Sequence, residues 1–274
     1  FQDRFFINHR KASFADLELR TGFLQPPFIS DALFTNLQYL LQNNDKEFRM
    51  KNSKVILVTG CSSGIGRKLA LMLNELGHHV YAGSRRWESV KTLKDLGITP
   101  LELDVTDTAQ CDEAIEIIIA KEGRLDILIN NAGIGVMGPL IDLDDAQIEQ
   151  QLSTNVHSIL RMVRAASRPM INQHGGLIVN IGSVSGILVT PFSGIYGASK
   201  AAVHALSEAL RLELAPFNIN VMTVQPGAIE SDFGRNSTHS LLGRHHRASS
   251  YAPIEAAITA RAKASQDRPT SAEK

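Results

Sequence analysis

From Lys54 onward, short apolar runs alternate with longer stretches whose apolar residues recur every three or four positions. The short runs are Val55–Val58, Val80–Ala82, Leu101–Leu103, Leu125–Ile129, Leu177–Ile181 and Val221–Val224. They have the length and near-continuous hydrophobicity of strands covered on both faces. After the first run, Leu69, Ala70, Leu73 and Leu76 form the apolar side of an amphipathic helix, and Gly77 supplies its stop signal. Further helical spacing covers roughly 87–96, 107–122, 143–172 and 196–215. Strictly alternating strands and helices predict an α/β fold with helices on both faces of a parallel sheet. No internal repeat or low-complexity linker interrupts the pattern. Residues 50–274 therefore read as one Rossmann-type doubly wound domain, with ligand sites at the carboxyl ends of its strands.

The first 49 residues do not share this pattern. Eight of the eleven Phe lie there, against a single Gly, Gly22, of the twenty. Leu33, Phe34, Leu37, Leu40 and Leu41 would share one face of a short helix capped at Ser30-Asp31. Two readings stay open for residues 1–49: an N-terminal extension that packs this stripe on the main domain, or translated upstream or cloning sequence ahead of a natural start at Met50. The balanced acids and bases do not resemble a transit peptide, and no chemistry is assigned to the segment.

Composition removes several functional classes. Lys and Arg number 28, as do Asp and Glu, so the formal net charge is zero. A nucleic-acid binder relying on bulk positive charge is excluded. No apolar run approaches the ~18–20 residues of a membrane-spanning helix. Two cysteines make no disulfide scaffold and point to a reducing, cytoplasmic setting.

The turn after the first strand reads Thr59-Gly60-Cys61-Ser62-Ser63-Gly64-Ile65-Gly66. Gly60 permits a tight turn, Gly64 lets backbone approach a diphosphate, and Gly66 lets the helix lie close to the strand. The following helix then directs its free N–H groups, those of Ser62, Ser63 and Ile65 among its first donors, toward phosphate. The second strand ends in Ser84-Arg85-Arg86, where an NAD site would carry an acid for the ribose 2′-hydroxyl. Ser84 can hydrogen-bond a 2′-phosphate and Arg85 can pair with it, so the expected cofactor is NADP(H). For Arg86, a phosphate contact and a solvated surface charge weigh evenly. Asp104 and Val105, after the third strand, could meet an adenine ring. Small residues in Asn130-Asn131-Ala132-Gly133 let the chain pass close to a cofactor, while an Asn side chain can tie neighbouring strands.

Ser183 follows the fifth strand, and Tyr196 and Lys200 lie one helical turn apart, on one face. A lysine cation beside a tyrosine favours the tyrosinate and should lower its pKa toward neutrality, making Tyr196 a general acid or base. Ser183 could hydrogen-bond a substrate oxygen as charge develops on it.

Together, Thr59-Gly60-x-x-x-Gly64-Ile65-Gly66, Asn130-Asn131-Ala132-Gly133, Ser183, Tyr196-x-x-x-Lys200 and Pro226-Gly227 resemble the short-chain dehydrogenase/reductase family from residue 54 to about 233. The resemblance implies a catalytic tetrad of Asn155, Ser183, Tyr196 and Lys200, with Asn155 holding a proton-relaying water; a helix-kink or surface role for Asn155 remains open. It implies contacts between the cofactor and Asn131, Ala132, Gly133, Tyr196, Lys200, Pro226, Gly227 and Ile229. Ser231 stands near the place of the family's threonine. Also implied are hydride transfer to or from a carbonyl or secondary alcohol carbon, and a homodimer or homotetramer built on the two long helices. Pro191–Tyr196 and the Arg85-Arg86 pair are similar to a branch that reduces lipid-like ketones, including acyl-dihydroxyacetone-phosphate reductases and 17β-hydroxysteroid-dehydrogenase-like enzymes. The family fold normally continues into a further helix and a seventh strand, so the domain is expected to be incomplete at its C-terminus.

Residues 228–252 would form a flap over the substrate. Arg235, Arg244 and Arg247 with His239, His245 and His246 make it basic, which suits either an anionic headgroup or a plain exposed loop. These histidines lack companions at metal-ligand spacing, so no metal is expected. Two other readings remain beside the enzyme: a non-catalytic NADP(H)-binding sensor or scaffold, and a gene product inactive through truncation. The intact Ser183, Tyr196 and Lys200 favour catalysis.

Overall fold

The computed structural model describes residues 53–229 and 250–254, with Ala256, Ile258 and Ala260. The chain divides into Phe1–Gln42 and Asn43–Lys274, and every described residue lies in the second unit. The segment 1–49 with its Leu/Phe stripe, and most of the 228–252 flap, fall outside the described residues.

Six strands form one parallel sheet: β1 (Val55–Thr59), β2 (His79–Ser84), β3 (Thr99–Glu102), β4 (Ile127–Asn130), β5 (Gly176–Ile181) and β6 (Ile219–Val224), in the order β3-β2-β1-β4-β5-β6. The order reverses between β1 and β4, the switch point at which such sheets open a crevice. The helices are α1 (Gly64–Glu75), α2 (Thr108–Glu122), α3 (Asp145–Leu152), α4 (Ser158–Asn172) and α5 (Gly194–Leu214).

Strand alternation divides the core in two. Val55 and Leu57 of β1 join Ile115 and Ile118 of α2, Met162 and Ala166 of α4, and Val203 of α5. Ile56 and Val58 join Ala70 and Leu73 of α1 on the opposite face. All of β1 is buried, which is why it reads as an unbroken apolar run rather than an alternating one.

Two helical expectations are corrected. Residues 87–96 form two 3₁₀ segments, Trp87–Ser89 and Lys91–Leu96, rather than an α-helix. The apolar positions Trp87, Val90, Leu93 and Leu96 recur every third residue, the repeat of a 3₁₀ turn, and only Val90 and Leu93 are buried. The stretch 143–172 is not one uniform helix: α3 starts from an Asp144/Gln147 capping box and passes through a π-helical turn at Ser153–His157 before α4. The third strand begins earlier than the apolar run suggested and includes Pro100, tolerated because β3 is an outer strand of the described sheet.

Candidate active site

Every strand ends at the same edge, and a cleft of about 660 Å³ lies along it. Its floor begins at the β1–α1 turn. Gly60 has φ +72° and Gly64 φ +57°, left-handed values that glycine adopts without strain. A Cβ on Gly60 would stand 2.7 Å from Ala132 Cα, and one on Gly66 would stand 2.6 Å from the Gly60 carbonyl oxygen and strike Asn131 Nδ2. Chain and cleft can approach this closely only with glycine at both positions. Ser63 caps α1 without a side-chain hydrogen bond, so the helix presents its first N–H groups to the cleft wall formed by Ser62, Ser63, Gly64 and Ile65. Gly66 itself lies beneath this wall rather than in it.

The β4 end is tied to this turn. Thr59 Oγ1 accepts from the Asn131 and Ala132 backbone N–H groups, both at 3.0 Å, and Asn131 Nδ2 donates to the Thr59 carbonyl at 2.9 Å. Asn130 performs the strand-tying role deeper in the sheet, donating to Asn180 Oδ1 at 2.9 Å, and Asn180 donates onward to Ser207 Oγ at 2.9 Å. The Thr59 contribution escaped the sequence reading because a threonine at a strand end carries no distinctive spacing.

Ser84, Arg85 and Arg86 all border the cleft, as do Asp104 and Val105. Ser84 is buried and its hydroxyl is already engaged, 2.9 Å from Ser89 Oγ and accepting from the Arg86 N–H at 3.2 Å. It shapes the turn, while the two exposed arginines carry the positive charge into the cleft. Asp104 Oδ1 accepts from the Thr106 N–H and hydroxyl, which fixes the loop after β3.

At the other end stand Ser183, Tyr196 and Lys200, all in the cleft wall. Ser183 follows β5 and opens a 3₁₀ turn, Val184–Gly186, its Oγ accepting from the Ser185 N–H at 3.1 Å. Tyr196 and Lys200 sit one turn apart on α5, with Nζ 5.9 Å from the phenol ring centre. Lys200 is buried and donates to the Ile181 carbonyl at 2.7 Å. Burial lowers its pKa from 10.5 to about 8. The expected lowering of the Tyr196 pKa is corrected in the chain alone: burial raises it above its ordinary value, and the hydrogen bond with Ser183 opposes that only in part. A buried phenol loses more solvation on ionising than one hydrogen bond returns.

Asn155 lies behind the cleft lining, in the π-helical turn. Its Oδ1 accepts from the Ile134 N–H at 2.9 Å, and its Nδ2 donates to the Ile134 carbonyl at 3.0 Å and to Ser199 Oγ at 3.1 Å. The open helix-kink reading is thus met, and a surface role is not, since Asn155 is buried. A Cβ on Gly133 would lie 3.3 Å from Asn155 Oδ1 and 3.8 Å from Lys200 Nζ, so the glycine keeps open the space where the two side chains converge. Gln151, one turn before Asn155, repeats the clamp: its Oε1 accepts from the Val136 N–H at 2.6 Å and its Nε2 donates to the Ile134 carbonyl at 2.9 Å. Sequence reasoning passed over Gln151, although its i, i+4 relation to Asn155 was the available signal.

Pro226, Gly227 and Ile229 complete the cleft wall, while Ser231 and the six basic flap residues lie outside the described residues. Ile134, Met137, Val184 and Leu188 add apolar lining that the motifs did not indicate. Among the described residues, no helix is long and apolar enough to cross a membrane, and no three His, Cys, Asp or Glu form a metal-binding group. Both cysteines are free and buried; burial pushes the Cys61 thiol up to about 12 and leaves it inert.

This geometry has counterparts among known proteins. The sequence model of the family described as short chain dehydrogenase matches residues 54–241. A 3-ketodihydrosphingosine reductase of Bacteroides thetaiotaomicron is 41% identical over 190 residues, 69% of this chain and 69% of that protein. An NADPH-dependent 1-acyldihydroxyacetone phosphate reductase of Schizosaccharomyces pombe is 38% identical over 185 residues, 66% of this chain and 62% of that protein. Among solved structures, a short chain dehydrogenase/reductase from Burkholderia phymatum in complex with NAD aligns with TM-score 0.71 and 25% identity, over 80% of this chain and 82% of that one. The chain thus spans about two-thirds of the length of the curated relatives it matches.

Proposed function

The chain belongs to the short-chain dehydrogenase/reductase family, and from that premise we propose that it is an NADP(H)-dependent oxidoreductase acting on a carbonyl or secondary alcohol carbon. The observation that carries this reading is that one continuous cleft has the Gly60–Ile65 turn at one end and Ser183, Tyr196 and Lys200 at the other.

The donor set fits a dinucleotide phosphate. The α1 amino terminus and its glycines suit a diphosphate; Arg85 and Arg86 suit a 2′-phosphate, with Ser84 as the small uncharged residue that would admit it; Asp104 and Val105 would flank an adenine ring. Asn131, Ala132, Gly133, Pro226, Gly227 and Ile229 would line the nicotinamide end. When bound, NADPH supplies the hydride. The chain's own groups handle the proton. In the reductive direction Tyr196 begins protonated, and its raised pKa keeps it so through neutral pH. It can give that proton to the substrate oxygen while the Ser183 hydroxyl donates a hydrogen bond to the same oxygen. Lys200, beside the phenol, then offsets the charge left on the tyrosinate. Asn155 and Gln151 hold the Ile134–Val136 backbone that flanks this point.

An apolar ketone is the substrate class that the lining favours. Met137, Val184 and Leu188 border the reactive end, and Ile187 and Val189 on either side of Leu188 are 61% and 81% exposed. The two relatives named above for 3-ketodihydrosphingosine and 1-acyldihydroxyacetone phosphate support the same class. A homodimer or homotetramer through α3–α4 and α5, in a reducing cytoplasm, completes the reading.

The test is a panel of short- and long-chain ketones assayed with NADPH and NADH side by side, for the natural chain and for Tyr196→Phe. The expected result is turnover with NADPH that falls at least 10²-fold in the variant, which still binds NADPH. NADPH binding without turnover by either protein would instead support a non-catalytic sensor or scaffold.

A further inference from the structure

The catalytic helix carries a third polar side chain in line with its first two. Tyr196, Lys200 and His204 follow one another at four-residue intervals on α5, so they form a single stripe facing the end of β5. The sequence reading used the first two and left the third unassigned.

His204 reaches the segment that holds Ser183. The Ser183 backbone N–H donates to His204 Nε2 at 3.4 Å, a long bond of the kind that tightens when substrate fills a site. The ring lies between two glycines of that segment: a Cβ on Gly182 would approach His204 Cδ2 to 2.8 Å, and one on Gly186 would approach Cε1 to 2.7 Å. Only residues without side chains leave room for an imidazole there. Ser183 in turn fixes its own hydroxyl through the bond from the Ser185 N–H, so the orientation of its Oγ depends on where its backbone is held.

We propose that His204 is a positioning residue for Ser183, its unprotonated Nε2 anchoring the Ser183 backbone so that the hydroxyl meets the substrate oxygen beside Tyr196. This rests on the oxidoreductase reading but does not follow from it, because His204 is not among the residues that line the cleft. The proton of the neutral ring must then sit on Nδ1. Burial and the Lys200 cation one turn away hold the imidazole below its ordinary pKa, so the acceptor is available at neutral pH. The Gly182–Gly186 segment beside the ring and β6, which packs on α5, carry no titratable side chain. On α5 itself, Glu208 lies one turn beyond.

Three variants test the assignment. His204→Gln retains an acceptor at about the place of Nε2; His204→Phe retains a flat ring without one; Tyr196→Phe controls for catalysis. His204→Phe should lose about tenfold in kcat with the KM for NADPH within twofold of the natural chain, and His204→Gln should recover most of that loss. On the acid side of the ordinary imidazole pKa, kcat should fall more steeply in the natural chain than in His204→Gln, because only the imidazole loses its acceptor by protonation. Hydrogen–deuterium exchange over residues 181–188 gives a readout independent of turnover: faster in His204→Phe, near the natural rate in His204→Gln. Natural kcat and natural exchange in His204→Phe would overturn the proposal. So would equal impairment of the Phe and Gln variants with no change in the acid limb, which would mean packing alone. A natural chain that turns over no carbonyl would strike the oxidoreductase reading instead, while the exchange comparison would still decide the role of His204. Should His204→Phe fail to fold, the acid limb of His204→Gln decides.

Discussion

Lys200 illustrates a single side chain whose local cost serves its surroundings. Its ammonium is buried with the Ile181 carbonyl as its acceptor, and among the described residues no carboxylate forms an ion pair with it, so its pKa falls from 10.5 to about 8. Between those values the folded chain binds fewer protons than the unfolded one, and stability therefore rises with pH across that window. Below pH 8 the whole penalty is present, about 3 kcal/mol by the usual conversion. Replacing the lysine removes that penalty and sacrifices about 1 kcal/mol of hydrogen bonding. Lys200→Met should accordingly melt several degrees above the natural chain at pH 7 and lose that advantage as pH approaches 10.5, while its catalytic activity collapses. Thermal melts of both proteins across pH 6–10.5 check this; a constant difference would show that Lys200 is not the titrating group. The sequence put this residue and Tyr196 on one helix face, and the structure has both in the cleft wall. The sequence misjudged the tyrosine's ionisation because desolvation depends on what surrounds a group in three dimensions, which spacing along a helix does not record.

At the level of elements, glycines distinguish a turn that must be tight from one that is merely convenient. Gly66 and Gly77 border the same helix, α1, at opposite ends. A Cβ on Gly66 would collide with the Gly60 carbonyl and the Asn131 side chain, whereas one on Gly77 would meet no atom within 4 Å and suffer only from φ +86°. Gly77→Ala should cost about 1–2 kcal/mol of stability and leave NADPH affinity unchanged. Gly66→Ala should lower the affinity at least tenfold, because the displaced turn is the one that faces the cleft. Cofactor titrations by fluorescence, alongside thermal melts, separate the two effects; equal affinities for both variants would refute the assignment of this turn. Gly66 was legible as the residue that lets helix and strand approach and Gly77 as a helix stop, and the strands were legible as apolar runs. The period-three spacing of Trp87, Val90, Leu93 and Leu96 was also in the sequence but read as an α-helix, whereas the π-helical turn at Ser153–His157 left no local signal.

For the whole molecule, the strand order β3-β2-β1-β4-β5-β6 brings residues far apart in sequence to one edge. Arg85 and Arg86 at one end of the cleft and Ser183 at the other share a cavity only because β2 and β5 flank the β1–β4 pair. Cofactor choice is a property at this scale, since ligand binding stabilises the entire folded chain. A cofactor present at a hundred times its Kd adds about 2.7 kcal/mol, and one bound tenfold more weakly at that concentration adds about half as much. NADPH should therefore raise Tm about twice as far as NADH at equal concentration, and Ser84→Asp should erase or reverse the difference by placing a carboxylate against the 2′-phosphate. Equal shifts in the natural chain would refute the NADP(H) reading.

By itself the sequence determined the alternation of strands and helices, and with it the parallel doubly wound sheet, because burial on both faces leaves apolar periodicity in the chain. It also located the glycine turn and the Tyr196–Lys200 pair, whose chemistry depends on spacings of a few residues. Tertiary structure alone decided that Ser84 spends its hydroxyl on its own turn, that Asn155 works from behind the cleft with Gln151, and that His204 reaches the Ser183 backbone. Those roles rest on contacts between residues brought together by the sheet order, and on the desolvation that comes with them. Neither leaves a mark in local sequence.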